Sequence, residues 1–366
     1  MNAPSMRMLR WGAPVAAAAA VAVVASGVLS AEADPPLPPK TAAQLLAAVE
    51  GADVAGLSGT VVQTSDLGLP ELPTTGPGSS EASTSIASLL TGSHTLRIWM
   101  AGETKQRVAL LGTLGESDVV RNGRDAWLWN SEERSATHFT LPAAAATSKP
   151  DVPLPSGVTP QEAAEKALAA IDPTTAVTTD GTGEVAGRDV YELVLAPKDQ
   201  RSLVGQVRLA IDAQTSTPLR VQVFGRASGD GPAFSVGFTK VSFEVPGDEQ
   251  FRFQPPANTK VTEGTLPAAT DKRPTPADVR AKAGSAVGVV GTGWTSVVVL
   301  RGGPQAANST DSGPLAAVMR SLRPVSGSWG SGRLLTSRLV SALITDDGRM
   351  FVGAVPPELL YAAAAR

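Results

Sequence analysis

The segment Val119–Leu141, VVRNGRDAWLWNSEERSATHFTL, decides how this chain folds. Its hydrophobic start meets Asn122-Gly123, the dipeptide that most readily holds φ > 0 at both positions of a tight type I′ hairpin turn. A Trp-x-Trp segment follows, and then the polar tip Asn130–Arg134. The pattern predicts three antiparallel strands joined by two turns. Trp127 and Trp129 are two residues apart, so they point to the same face of a strand.

Composition favours many short strands and excludes several classes of function. The 366 residues include 36 glycines and 29 prolines, and only 18% are charged. The net charge of −3 is spread along the chain without a basic patch, so we do not expect nucleic acid as a partner. The chain has no cysteine, which excludes a disulfide framework, a thiolate metal site and a cysteine nucleophile.

The N-terminus has the pattern of an export signal. Two arginines precede the uncharged run Trp11–Ala31, and Ala31-Glu32-Ala33 offers a small-x-small cleavage site. Residues 1–33 are therefore predicted to be a signal peptide or, because the run is about as long as a bilayer is thick, a retained signal anchor. Either outcome places the rest of the chain outside the cytoplasm, secreted or anchored to the cell membrane by an N-terminal helix. Residues 34–40 form a Pro-rich spacer.

A helix followed by alternating strands occurs twice in the chain. Thr41 with Gln44, and Thr159 with Glu162, are capping boxes at the starts of the two helices, each of which carries an apolar stripe at i, i+3, i+4 and i+7. A change of hydrophobic phase predicts a β-bulge near Thr239-Lys240. The strands predicted beside Val119–Leu141 are Gly59–Thr64, His94–Ala101, Lys105–Gly112, Val190–Ala196, Leu203–Asp212, Pro218–Arg226 and Ala233–Val245.

The remaining chain predicts a smaller α+β region. Residues 41–264 are assigned to the first domain, 265–275 to a linker and 276–366 to the C-terminal region. The elements predicted in this region are a short helix Pro276–Ala283, a strand Gly293–Arg301, a helix that begins near Pro314, a hairpin of Arg333–Thr345 and Arg349–Val355, and a terminal helix Pro356–Ala365.

The residues that could carry chemistry do not form a recognisable catalytic or metal site. His94 and His138 fall in predicted strands, and neither has a second ligand at metal-binding spacing. The glycine clusters match neither a phosphate-binding loop nor a nucleophile elbow. Asp346-Asp347-Gly348 lacks the further ligands of a cation loop, so it is interpreted as a hairpin turn. We therefore predict no enzyme, no metal and no cofactor.

Two helix-and-strand units predict a large, strongly curved antiparallel sheet with helices on its concave face. Because these helices are mostly alanine, they leave space that larger side chains would have filled. A dry gap of this kind suits an acyl chain. The residues predicted to line it are Ile98, Met100, Trp127, Trp129, Val221, Val223, Phe234 and Phe238.

Over roughly residues 40–264 the chain resembles the LolA/RseB-like superfamily of periplasmic and cell-envelope proteins. The resemblance is carried by the export signal, the strand at Leu57–Val61, the run Val120–Gly123 leading into Trp127-Leu128-Trp129, and Phe251–Asn258 at the end of the second unit. It implies an α+β fold with a half-open antiparallel β-barrel and helices over a hydrophobic cavity. The segment Asp66–Ser83 departs from it as an insertion.

The sequence therefore predicts an extracytoplasmic, non-enzymatic protein that binds lipid or lipoprotein acyl chains as a carrier or a sensor. The resemblance also implies an alternative, an RseB-like regulator that binds the outer part of a membrane-bound anti-sigma factor. The expected partners are thus acyl chains, with an anti-sigma factor or a transporter as the alternative.

Overall fold

The computed structural model describes residues 37–69, 91–112, 115–143, 159–227, 231–264, 287–301 and 322–366. Residues Lys40–Arg366 form one compact unit. The predicted signal segment 1–33, the linker 265–275 and the helices at Pro276–Ala283 and after Pro314 lie outside the described residues, apart from Leu322. The division at 265–275 into two domains stays a prediction.

Both predicted capping boxes are confirmed. The Gln44 amide donates to Thr41 Oγ1 at 3.3 Å, and the Thr41 amide donates to Gln44 Oε1 at 2.8 Å. Thr159 and Glu162 form the same reciprocal pair, with both distances at 3.1 Å.

Among the described residues, no helix is both long enough and apolar enough to span a membrane. The described helices are α1 (Ala42–Glu50), α2 (Pro160–Ala169) and α3 (Pro357–Ala364).

A twelve-stranded sheet makes up most of the compact unit. Its strands, in chain order, are β1 (Gly56–Ser65), β2 (Gly92–Ala101), β3 (Lys105–Leu111), β4 (Glu116–Asn122), β5 (Asp125–Asn130), β6 (Ser135–Thr140), β7 (Thr175–Val185), β8 (Arg188–Pro197), β9 (Val204–Asp212), β10 (Pro218–Gly225), β11 (Phe234–Ser242) and β12 (Lys260–Glu263). They lie side by side in the order β12-β6-β5-β4-β3-β2-β1-β11-β10-β9-β8-β7. Neighbours are antiparallel except β12 and β6, which are parallel.

The half of the sheet formed by β7–β11 is strongly curled. Three strands separate β7 from β11, which in a flat sheet would keep them about 19 Å apart. Their Cα atoms nevertheless come within 8 Å of each other. The Arg188 guanidinium at the start of β8 also lies 4.7 Å from the ring centre of Phe243, just after β11. The predicted fold class, α+β with a strongly curved antiparallel sheet, is confirmed.

One hairpin turn differs from the sequence prediction. Asn122 stays in the strand pairing opposite Asp125, so the two-residue turn is Gly123-Arg124. Only Gly123 has positive φ there (62°), which is the pattern of a type II′ turn rather than type I′. Both positions are left-handed instead at Ala186-Gly187, with φ of 55° and 74°. This turn joins β7 to β8, and β7 is not among the strands predicted from the sequence.

A second sheet of six strands carries the C-terminal part of the chain, in the order β13-β14-β18-β17-β16-β15. Its core includes Val299, Leu343, Phe351 and Leu360, the last from α3, which packs on β14, β17 and β18. The strands are β13 (Val287–Val290), β14 (Val297–Arg301), β15 (Arg323–Gly327), β16 (Gly330–Thr336), β17 (Ser341–Thr345) and β18 (Arg349–Gly353).

The single strand predicted at Arg333–Thr345 is wrong, because the chain leaves the ladder between β16 and β17. The Arg338 amide donates to the Leu67 carbonyl at 2.7 Å, and its guanidinium reaches Asp66 Oδ2 at 2.7 Å and the Gly231 carbonyl at 2.8 Å. These bonds hold the turn against the large sheet, so it cannot continue the strand. The terminal helix is confirmed as α3.

The predicted bulge is confirmed. Thr60 pairs with Lys240 and Val61 pairs with Phe238, so Thr239 is the extra residue on β11. Beside the bulge, the Phe238 ring lies across the backbone of Gly59. A Cβ atom built there would meet the Lys240 carbonyl and would stand 2.7 Å from the Phe238 ring. Glycine is therefore required where β1 and β11 approach each other.

Gly59→Ala should lower the free energy of unfolding by about 1–3 kcal/mol, because overpacking forces backbone or ring to move. Urea denaturation monitored by circular dichroism measures the change. Gly183→Ala in β7 is the matched control, since the nearest atom to its added methyl group is a Val190 methyl at 3.8 Å. Equal stability of the two variants would contradict this account of the bulge.

Candidate functional site

A partly open cavity of about 320 Å³ lies between α2 and strands β9, β10 and β11. Its volume is at the lower end of the range of about 300–1,000 Å³ typical of small-molecule sites. We call it the α2 cavity. The residues that line it are Ala163, Lys166, Ala167, Ala170, Val207, Val221, Val223, Phe234 and Trp294.

Small side chains on α2 create the space. Ala163, Ala167 and Ala170 succeed one another at helical spacing, so they share the side of the helix that faces the sheet. Each presents a methyl group where a larger side chain would fill the gap. The Thr159 capping box and the buried Pro160 fix the start of the helix. The expectation that alanine-rich helices leave room above the sheet therefore agrees with this geometry.

The sheet supplies the apolar floor of the α2 cavity. Val223 pairs with Val207 on β9 and with Phe234 on β11, so the three side chains share one face of the sheet. Val221 and Val207 are buried, with 1% and 3% of their surface exposed, while Val223 and Phe234 are half-buried.

Trp294 from the C-terminal part of the chain covers one end of the α2 cavity. Its indole Nε1–H donates to Thr175 Oγ1 at 2.7 Å. The preceding residue, Gly293, has φ of 57°, and a Cβ there would meet Thr174 Oγ1 and stand 2.9 Å from Asp172 Oδ2. The turn that contains Gly293 and Trp294 therefore packs closely against the loop between α2 and β7. Trp294 was missed from the sequence because nothing near it indicates contact with a residue 119 positions away.

The eight residues predicted to line a cavity divide into three sets. Val221, Val223 and Phe234 line the α2 cavity. Ile98, Met100 and Phe238 lie on the same face of the sheet, which we call the inner face, but outside the cavity lining. Trp127 and Trp129 lie on the opposite face, which we call the outer face. Ile98 pairs with Val108, Val108 with Val119, and Val119 with Leu128, so Leu128 is on the inner face and its two neighbours are on the outer face.

On the outer face, Trp127 and Trp129 pack against the segment that follows β11. The Phe253 ring lies 5.3 Å from Trp127 and 6.0 Å from Trp129, centre to centre. The centre of the His138 ring lies 4.4 Å from that of Trp127. These distances are typical of aromatic packing. In this structure the two tryptophans thus pack against the chain's own aromatic side chains.

His138 bridges two carboxylates at the edge of the sheet. Its Nδ1 is 3.0 Å from Glu263 on β12, and its Nε2 is 3.2 Å from Asp125 on β5. The sequence did not indicate either carboxylate as a partner, because each reaches His138 only through the pairing of its strand, β5 or β12, with β6. Within the described ranges, no group of three or more histidines and carboxylates could hold a metal ion. The second histidine, His94, contacts the Thr91 carbonyl through Nε2 at 2.8 Å.

Asp118 is a buried carboxyl on the outer face. Arg107 Nε donates to its Oδ2 at 3.0 Å, and the Arg107 guanidinium also lies over the Trp99 ring at 5.3 Å. The other oxygen, Oδ1, has no hydrogen-bond partner among the described residues. Burial therefore outweighs the attraction of Arg107 and raises the pKa of Asp118 from 3.8 to about 6.

No protein-family model matches the chain, and no curated protein matches it. Among solved structures, the Pseudomonas aeruginosa MucA/MucB complex aligns over 88% of this chain and 96% of the matched chain, at 16% identity and a TM-score of 0.45. A LolA superfamily protein from Nitrosomonas europaea aligns over 59% and 99%, at 10% identity and a TM-score of 0.21. The lipoprotein LppX of Mycobacterium tuberculosis aligns over 55% and 90%, at 10% identity and a TM-score of 0.25. The solved structures to which the chain is similar thus include a protein of the LolA superfamily, which the sequence also resembles.

The Asp118 carboxyl should make stability depend on pH. Because its pKa is raised in the folded state, its contribution to the free energy of unfolding is complete below pH 3.8 and is lost as pH rises through about 6. The loss amounts to about 3 kcal/mol. Asp118→Asn should remove this component, which thermal unfolding followed from acid to neutral pH would show. The exposed Asp53→Asn is the control and should follow the wild-type curve; a parallel curve for Asp118→Asn would refute the assignment.

Proposed function

We propose that this protein is an extracytoplasmic, non-enzymatic binding protein that holds an acyl chain of a lipid or lipoprotein in the α2 cavity. The observation that carries the proposal is the composition of the cavity wall. Of the nine described residues that line it, eight are apolar and the ninth is Lys166. A wall of this kind favours a ligand that is itself apolar over most of its surface.

The polar groups near the wall support the same conclusion. The Trp294 indole N–H is already bonded to Thr175, so it has no free donor for a ligand. Alanine, valine and phenylalanine side chains offer no hydrogen bonds. Binding in the cavity would therefore come from removing apolar surface from water, at about 25 cal/mol per Å². The volume of about 320 Å³ suits one chain rather than several.

The location and cellular role rest on the sequence. The export signal predicted at residues 1–33 favours a site outside the cytoplasm, as a carrier or a sensor. The alternative role, in which the protein binds the outer part of a membrane anti-sigma factor, stays a prediction. A gene for a single-span anti-sigma factor adjacent on the chromosome would favour that alternative, and co-purification of the two proteins would test it.

Native mass spectrometry of the purified protein should show a bound lipid. After delipidation, titration with the fluorescent polyene cis-parinaric acid should show saturable binding with a dissociation constant in the low-micromolar range or below. Protein that carries no lipid and gives no saturable binding would overturn the proposal.

Ala167→Phe should weaken cis-parinaric acid binding by at least about tenfold, because the ring would occupy the space that the chain needs. Ala169→Phe is the matched control: it adds the same ring to the same helix at an exposed position outside the lining. Thermal unfolding of both variants checks that the fold survives. Equal affinities for a folded pair would place the ligand elsewhere.

Trp294 should report ligand binding. Its indole lines the α2 cavity, whereas Trp127 packs against Phe253 and His138 on the outer face. Titration of the wild type with a non-fluorescent fatty acid should therefore change the tryptophan emission. Trp294→Phe should abolish most of that change and Trp127→Phe should preserve it. The reverse result would move the binding site to the outer face.

A further inference from the structure

Lys166 is the one charged residue among the described residues that line the α2 cavity. It lies in the last turn of α2, between Ala163 and Ala167, and it is exposed. A lysine in such a position lays its aliphatic stem along the apolar wall and keeps its ammonium group in water. The cavity thus combines an apolar wall with one exposed, positively charged side chain.

No carboxylate of the described chain lies within salt-bridge distance of the Lys166 ammonium group. One turn earlier on the helix, Glu162 accepts a hydrogen bond from the Thr159 amide in the capping box. Asp172, beyond the end of the helix, accepts from the Thr174 amide at 2.8 Å and the Thr174 hydroxyl at 2.6 Å. Lys166 forms no salt bridge within the described ranges. Its ammonium group is therefore available to a ligand.

Other basic groups near the cavity are already engaged. Lys198 Nζ donates to the Pro173 carbonyl at 2.9 Å, on the loop that follows α2. Arg226 donates to the Ser202 carbonyl at 2.8 Å and to Gln200 Oε1 at 2.6 Å. Neither lines the cavity. A negative charge that arrives at the cavity would thus meet Lys166.

We infer that Lys166 binds the acidic head group of the ligand, so that the α2 cavity selects a single-chain amphiphile that ends in a carboxylate. This inference rests on the proposed function and narrows it. The acyl chains of a lipoprotein end in neutral amide or ester linkages, whereas a free fatty acid presents a carboxylate. A charge-assisted hydrogen bond from an ammonium group to a carboxylate is about twice as strong as a neutral one.

A different role for Lys166 is the stabilisation of α2 through the partial negative charge at the helix C-terminus. That role acts on the helix and is indifferent to the head group of a ligand. The two roles therefore separate in a comparison of an acid with its neutral ester. Cis-parinaric acid and its methyl ester share one fluorescent chain and differ only in this group.

The experiment titrates delipidated wild type, Lys166→Gln, Lys166→Arg and Lys260→Gln with each probe at low and high salt. Lys260, exposed on β12 at the far end of the sheet, is the matched control for loss of one positive charge. Lys166→Gln should weaken binding of the acid about tenfold, as expected for one charge-assisted hydrogen bond. Its affinity for the ester should change far less, and Lys166→Arg should restore most of the acid affinity. High salt should reduce the preference for the acid in every protein except Lys166→Gln.

The outcomes separate this inference from the proposed function. If the wild type binds neither probe, the proposed function fails and the inference fails with it. If the wild type binds both probes equally and Lys166→Gln changes neither affinity, acyl binding stands and the head-group assignment is overturned. If Lys166→Gln weakens both probes by the same factor, or Lys260→Gln weakens the acid as much, Lys166 acts through the helix or through net charge, and the assignment is again overturned.

Discussion

The packing of an alanine-faced helix on a curled, valine-rich sheet is the constraint on which the rest of the structure depends. A curled sheet and a straight helix touch along a limited line, and protein interiors normally fill the remaining space with larger side chains. Here Ala163, Ala167 and Ala170 leave about 320 Å³ above the sheet. The gap persists because α2 is held at its start by the Thr159 capping box, and the loop beyond its end by the Trp294–Thr175 hydrogen bond.

The C-terminal sheet belongs to the candidate site as much as the large sheet does. Trp294 covers the α2 cavity, and the Leu203 amide donates to the Ala354 carbonyl at 2.8 Å near the start of β9. Arg338 binds Asp66 and the Gly231 carbonyl, close to the end of β11 that supplies Phe234. The second sheet therefore fastens the β9 and β11 ends of the cavity floor. A chain cut before this sheet would lose one end of the cavity wall together with these bonds.

The sequence predicted features that depend on local chemistry, and it missed those that depend on loop length or distant contacts. The two capping boxes, the bulge at Thr239 and the alanine-rich helix all follow from neighbouring residues. The face on which Trp127 and Trp129 lie does not follow from neighbouring residues. It depends on the length of each preceding loop, which sets the residues that pair across it. The turn between β2 and β3 holds three residues, and one more or fewer would exchange the inner and outer faces of every later strand up to β6. The contact of Trp294 with Thr175 had no local signal at all.

The place of Lys166 in the cavity wall could not be predicted from the sequence either. The stripe read from the sequence of α2, Ala164, Ala167, Leu168 and Ile171, borders the stripe that lines the cavity, Ala163, Lys166, Ala167 and Ala170. A stripe that contains lysine is normally assigned to solvent, since a packed core would have to bury the charge. An open apolar cavity removes that objection, because the stem can line the wall while the ammonium stays in water. The position of Lys166 is thus better suited to a cavity that admits an acidic amphiphile than to a closed core.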